Sequence, residues 1–229
     1  MNGIRVFLAL LVLSVAASQV PAAEPKVPDA TPSEFITEAV DVLAKKLDGR
    51  RSELADDPDA LFALIDELLL PRFDREGAAR AVLAKHSRSA TEEQFTRFID
   101  AFYSSLVQKY AIGVLDFEPD RIKVIPYRGE LTRRVITVKT TVDLEDGTNI
   151  NVYYGLTHDE SDWKIFDVII EGVSYIRNYR TEFDAEIEAK GLEKVIVRLE
   201  IEAAGEDSEE AEVAGEDSEE VEATGDDSE

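Results

Sequence analysis

Apolar side chains recur at three- and four-residue steps from residue 33 to 114, and after Pro119 the step falls to two, so helices give way to strands. The first stripe, Phe35, Ile36, Ala39, Val40, Leu43 and Leu47, ends at Gly49, with Ser33 placed to cap it. Asp57-Pro58 is an N-cap followed by the first helical residue, opening a second helix with Leu61, Phe62, Leu64, Ile65, Leu68 and Leu69 before Pro71. A third helix is expected from about Asp74 to His86. Thr91-Glu92-Glu93-Gln94 reads as a capping box ahead of the longest helix, whose Phe95, Phe98, Ile99, Phe102, Leu106 and Tyr110 share one side.

Four strands are expected beyond Pro119: Arg121 to Tyr127, Arg133 to Glu145, Thr148 to Thr157 and Trp163 to Ile170. Asp146-Gly147 is a type I′ hairpin signal between the second and third. Their apolar residues fall at even positions, Ile136, Val138, Val142 and Leu144, then Ile150, Val152, Tyr154 and Leu156, which makes one face greasy. The fourth strand reads as apolar on both faces. Helical spacing returns with Ile176, Tyr179, Phe183 and Ile187, and a short helix from Leu192 to Ile201 follows Gly191. The expected architecture is α+β: an antiparallel sheet of about four to five strands, wrapped by N- and C-terminal helices in one domain over residues 33–201.

Composition changes the picture at both ends. Residues 1–22 read as a secretory signal peptide, because Arg5 precedes the apolar run Val6 to Ala17 and small residues follow. That run is shorter than the ~20 residues a membrane span needs. Residues 23–32, with Pro25, Pro28 and Pro32, form a stiff leader. Residues 202–229 carry 14 acids and no base in a ten-residue repeat, and such a segment lacks the apolar surface to offset its ordering entropy, so a disordered acidic tail is expected. The remaining domain is itself acidic, and the whole chain has a net charge of −24. A polyanion gains nothing from nucleic acid or an anionic membrane surface. With no cysteine there is no disulfide, thiol nucleophile or thiolate metal site.

Catalytic constellations are scarce. Gly172-Val173-Ser174-Tyr175-Ile176 lacks the second glycine of a nucleophile elbow, so Ser174 reads as a helix cap. His86 and His158 have no second ligand at metal-binding spacing, and no phosphate-cradling glycine loop occurs; neither metal nor cofactor is expected. Asp167 and Glu171, at the end of an apolar strand, are the carboxylates placed for burial. The surplus is aromatic and aliphatic, and it reads as core or as the lining of an apolar cavity between sheet and helices.

Four stretches carry a resemblance. Glu67-Leu68-Leu69-Leu70-Pro71-Arg72-Phe73-Asp74, Ala90-Thr91-Glu92-Glu93-Gln94-Phe95, Trp163 through Ser174, and Asn178-Tyr179-Arg180-Thr181-Glu182-Phe183 together resemble the MlaC family of periplasmic phospholipid-binding proteins, also known as toluene-tolerance auxiliary components of an ABC transport system. Asp167-x-x-x-Glu171-Gly172-Val173-Ser174 is the most specific part; Ala84-Lys85-His86-Ser87-Arg88 departs by lacking glycine and aromatic residues, and the acidic tail is foreign to the pattern. The resemblance implies a cone-like fold related to nuclear transport factor and cystatin-like folds. It also implies a periplasmic monomer that shuttles phospholipid between an outer-membrane lipoprotein and porin complex and an inner-membrane ABC transporter with an MCE-type subunit, maintaining outer-membrane lipid asymmetry.

Two acyl chains expose ~30 methylenes, roughly 25 kcal/mol of unfavourable hydration that a carrier must hide. Candidate lipid-binding residues are Ile136, Val138, Val152, Tyr154, Val168 and Ile170 on the sheet, Phe98, Phe102, Leu106 and Tyr110 on the long helix, and Val173 at the strand-to-helix junction. Two alternatives stand beside this reading: an accessory factor for hopanoid or another polycyclic lipid, and a periplasmic hydrolase using Asp167 or Glu171.

Overall fold

The computed structural model describes residues 28–158 and 162–205; the predicted signal peptide, most of the leader and the tail beyond Gly205 lie outside them. The chain opens with α1 (Pro32–Leu47), α2 (Arg51–Asp56), α3 (Pro58–Leu69), α4 (Arg75–Leu83) and α5 (Glu92–Tyr110). A meander follows, made of β1 (Ile122–Ile125), β2 (Val135–Asp143), β3 (Asn149–His158), β4 (Trp163–Ile170) and the two-residue β5 (Val173–Ser174), then α6 (Tyr175–Lys190) and α7 (Leu192–Ala203). The fold is α+β, with every neighbouring strand pair antiparallel. No described helix is long and apolar enough to cross a membrane.

Capping follows the sequence at Asp57 and at Thr91, whose hydroxyl accepts from Gln94 N while the Gln94 side chain accepts from Thr91 N. At α1 the cap is Thr31, two residues earlier than Ser33. Thr31 and Glu34 form a capping box around Pro32, and Ser33 Oγ instead accepts from Tyr127 N at 2.7 Å, tying α1 to the chain beyond β1. The third predicted helix stops at Leu83, and residues 84–88 tighten into a 3₁₀ turn. Ala84 there has φ +47°, a left-handed conformation that glycine adopts at less cost.

The β2–β3 connection differs from the predicted type I′ turn. Only Gly147 has positive φ; Gly147 N donates to Leu144 O and Leu144 N to Thr148 O, while Asp146 Oδ1 accepts from the Thr148 amide and hydroxyl. This is a type I turn closed by a glycine bulge, which Asp146 favours by capping its own loop. The sharper hairpin is Glu171-Gly172, where φ is +48° and +82° and Ile170 pairs with Val173.

Register decides what faces the helices. Ile136 pairs with Leu156, Val138 with Tyr154 and Thr140 with Val152, keeping the even positions on one face as expected. Across β3–β4 the pairs are Tyr154 with Val168 and Val152 with Ile170, but Leu156 pairs with Ile165 and His158 with Trp163. Phe166 is therefore an extra, bulged residue. The strand that read as apolar on both faces instead switches parity at Phe166, so that Trp163, Ile165, Val168 and Ile170 all join the greasy face. Gly155 makes room for this, since a Cβ there would meet the Phe166 ring at 3.0 Å.

The core falls into three clusters. Ile36, Ile136, Val138, Leu156, Trp163 and Ile165 join α1 to the sheet. Leu47, Leu54, Leu61, Leu64, Ile65 and Leu68 join α1, α2 and α3, and Phe98, Phe102, Phe183, Ile187, Ile196 and Leu199 join α5 to α6 and α7. Space is left where the clusters meet.

Candidate functional site

Between α3, α5, the start of α6 and β4 lies an apolar cavity of about 360 Å³. Helical spacing in α5 brings Phe102, Leu106 and Tyr110 onto it, and the even positions Val168 and Ile170 of β4 face it. Ile65 and Leu69 of α3, Phe73 and Val114 complete that side, and the same four residues form one wall of a second apolar cavity of about 200 Å³. Ile36, Val40, Leu43, Phe117, Tyr154 and Ile165 close the second one. The larger cavity falls within the ~300–1,000 Å³ range of ligand-bearing clefts.

Each wall has a fastening. Arg51 reaches from α2 to Phe117 O at 2.6 Å and to Leu115 O, holding the 3₁₀ segment of residues 111–116 that carries Val114. Tyr103 Oη donates to Asp66 Oδ1 at 3.0 Å, pinning α5 to α3, while the Arg75 guanidinium lies 5.2 Å over the Tyr103 ring. Burial, then the Asp66 carboxylate, push the Tyr103 phenol well above its ordinary pKa. Burial also raises Tyr154, Tyr175 and Tyr179, so these wall phenols stay neutral at physiological pH.

Asp167 borders the larger cavity and is buried, but its carboxylate is already engaged. Oδ2 accepts from Ser174 Oγ at 2.7 Å and Oδ1 from Ile176 N at 3.1 Å, while Ser174 Oγ accepts from Arg177 N as the α6 cap. Glu171 accepts from Asn151 N, and Glu171 N donates to Asn151 O. Both acids therefore fix the β4–β5–α6 corner. His86 Nε2 lies 2.7 Å from Asp184 Oδ1, and the His158 ring packs edge-on to Trp163 at 4.8 Å.

The sequence pattern of the family described as MlaC protein matches residues 37–201. The chain belongs to the MlaC family. Over 198 residues it is 27% identical to the toluene tolerance protein ttg2D of Pseudomonas putida, covering 85% of this chain and 86% of that one. It is 21% identical over 179 residues to the intermembrane phospholipid transport system binding protein MlaC of Haemophilus influenzae, covering 77% and 84%. Its fold is that of a phospholipid-binding protein from Ralstonia solanacearum solved in complex with a phospholipid: TM-score 0.68, 22% identity, 77% of this chain and 98% of that one. Membership of the MlaC family places the chain among binding proteins rather than enzymes.

Of the residues singled out as lipid contacts, Phe102, Leu106, Tyr110, Val168 and Ile170 come together on the larger cavity and Tyr154 on the smaller. Phe98, Ile136 and Val138 are packed in the core behind these walls, and Val152, buried on the cavity-side face of the sheet, lines neither cavity. Val173 is 58% exposed and borders a surface recess beside the cavity. The walls contributed by α3 and by Tyr175, Ile176 and Tyr179 were not among the expected contacts. Their signal is the helical spacing of Tyr175 and Tyr179, which puts both aromatics on one side of α6.

Proposed function

We propose that this MlaC-family chain is a periplasmic phospholipid carrier. It takes acyl chains into the apolar cavity between α5 and β4 and moves the lipid between outer and inner membranes, which maintains outer-membrane lipid asymmetry. The observation that carries this is the cavity itself: an aliphatic and aromatic chamber of about 360 Å³, with a second beside it, whose neighbouring carboxylates are spent on backbone geometry. Enclosure there replaces the bilayer for the acyl methylenes, each worth ~0.8 kcal/mol. The names of the P. putida and H. influenzae relatives and the bound phospholipid of the R. solanacearum protein support the same ligand.

The tail contacts are Phe102, Leu106, Tyr110, Val168 and Ile170, with Tyr154 receiving chain that passes beyond Phe73 and Val114. Export follows from residues 1–22 acting as a cleaved signal peptide. The protein partners are an inner-membrane ABC transporter with an MCE-type subunit and an outer-membrane lipoprotein and porin complex. Native mass spectrometry of the secreted chain, purified without detergent, tests the reading. A discrete mass excess that extracts as diacyl phospholipid, and that Val168→Glu abolishes while the circular dichroism spectrum is kept, is expected. A bare-chain mass with no extractable lipid overturns it.

A further inference from the structure

Beside the larger cavity is a surface recess of about 330 Å³ whose composition is different. Lys109, Asn178 and Glu182 line it together with Tyr110, Tyr175 and Tyr179, and it shares Ile170 and the three tyrosines with the apolar chamber. The rings form a continuous rim: Tyr110 and Tyr175 have centroids 6.1 Å apart, Tyr175 and Tyr179 6.4 Å, and the Tyr110 and Tyr179 hydroxyls are 3.4 Å apart. One side of this rim is dry and the other is wet.

The two charges of the recess are of opposite sign and unspent. Among the described residues the Lys109 Nζ forms no ion pair and sits 5.7 Å over the Tyr110 ring, and the Glu182 side chain has neither an ion pair nor a hydrogen bond while its charge helps to raise the Tyr179 phenol. Elsewhere on α6 the acids Asp184, Glu186 and Glu188 are all paired with bases. Lys109 at the end of α5 and Glu182 in the second turn of α6 line this recess without bridging each other.

We propose that this recess is a headgroup seat for a zwitterionic phospholipid, one whose phosphodiester is linked to an ammonium group. The inference rests on the carrier reading above. Lys109 and the neutral tyrosine hydroxyls donate to the phosphodiester, which is anionic at every physiological pH, and Glu182 with the tyrosine faces receives the ammonium. A headgroup with no positive charge leaves Glu182 opposed to the phosphate, in a chain already carrying −24. The site therefore discriminates against phosphatidylglycerol and admits both phosphatidylethanolamine and phosphatidylcholine.

The test loads the full secreted chain from vesicles holding equal amounts of phosphatidylethanolamine, phosphatidylcholine and phosphatidylglycerol with identical acyl chains, then counts the lipids recovered on the protein by mass spectrometry. About fivefold enrichment of either zwitterion over phosphatidylglycerol is expected, the scale of one exposed charge pair. Glu182→Lys is expected to erase or invert that enrichment, and Asp41→Lys, an equal charge change on exposed α1, to leave it in place. Normal loading with no headgroup preference, or a preference indifferent to Glu182→Lys, overturns the seat and leaves the carrier standing. No loading of any lipid overturns both.

Discussion

Asp167 holds the corner where the sheet hands over to α6, and its two acceptor oxygens explain why an acid stands in an apolar strand. Truncation to Ala strands the Ser174 hydroxyl and the Ile176 amide in a buried site. Leaving such donors unmet costs about 2–3 kcal/mol. Asp167→Ala is therefore expected to lower the unfolding free energy by that amount, read as a lower urea midpoint at unchanged slope, with lipid loading reduced only in proportion to unfolding. A second residue-scale expectation concerns Ala84, whose φ of +47° places a Cβ where the backbone crowds it. Ala84→Gly relieves that strain and is expected to stabilise the chain by about 1 kcal/mol in the same experiment. The Ser174 cap was readable from sequence because capping is local. The use of Asp167 was not, because its partners lie seven and nine residues on, across a hairpin.

At the scale of elements, two features set the site. The first is the bulge at Phe166, which rotates the start of β4 by one residue and lets Trp163 and Ile165 seal the sheet against α1 while Val168 and Ile170 face α5. Period-two reading saw hydrophobes at both parities and could not say that they share a face. The second is the attachment of the 84–88 turn to α6. Asp184 is held below its ordinary pKa by its hydrogen bond to Lys85, then by its bond to His86. A carboxylate lowered in the folded state contributes its stability above its unfolded pKa of about 4 and loses it as pH falls through the lower folded value. The difference in melting temperature between the wild type and Asp184→Asn is therefore expected to be present at pH 5 and to close below pH 4. High salt shrinks it, because the pair is exposed.

Across the whole molecule, hollow and filled regions are adjacent and made of the same residue types. Lipid that binds the folded chain alone stabilises it by mass action, about 2.7 kcal/mol at a hundredfold excess over Kd. The lipid-loaded chain is thus expected to melt a few degrees above the delipidated one, and Val168→Glu to abolish that difference in differential scanning calorimetry. The order of the helices other than α2 and of strands β1 to β4, the greasy even-numbered face, the aromatic side of α5 and the shortage of catalytic groups were determined by the sequence, since each is a matter of spacing along one element or of residues that are simply absent. Which hydrophobes line a void was decided by tertiary structure alone. Phe98 and Phe102 lie on the same stripe, one turn apart, yet Phe98 is locked among Phe102 and Phe183 while Phe102 also borders the cavity. The aromatic rim joins Tyr110 to Tyr175 and Tyr179 across more than sixty residues of chain, and the unspent pair Lys109 and Glu182 comes with it. A period reports which way a side chain points; whether anything fills the space it points into depends on the distance at which the opposing element is held.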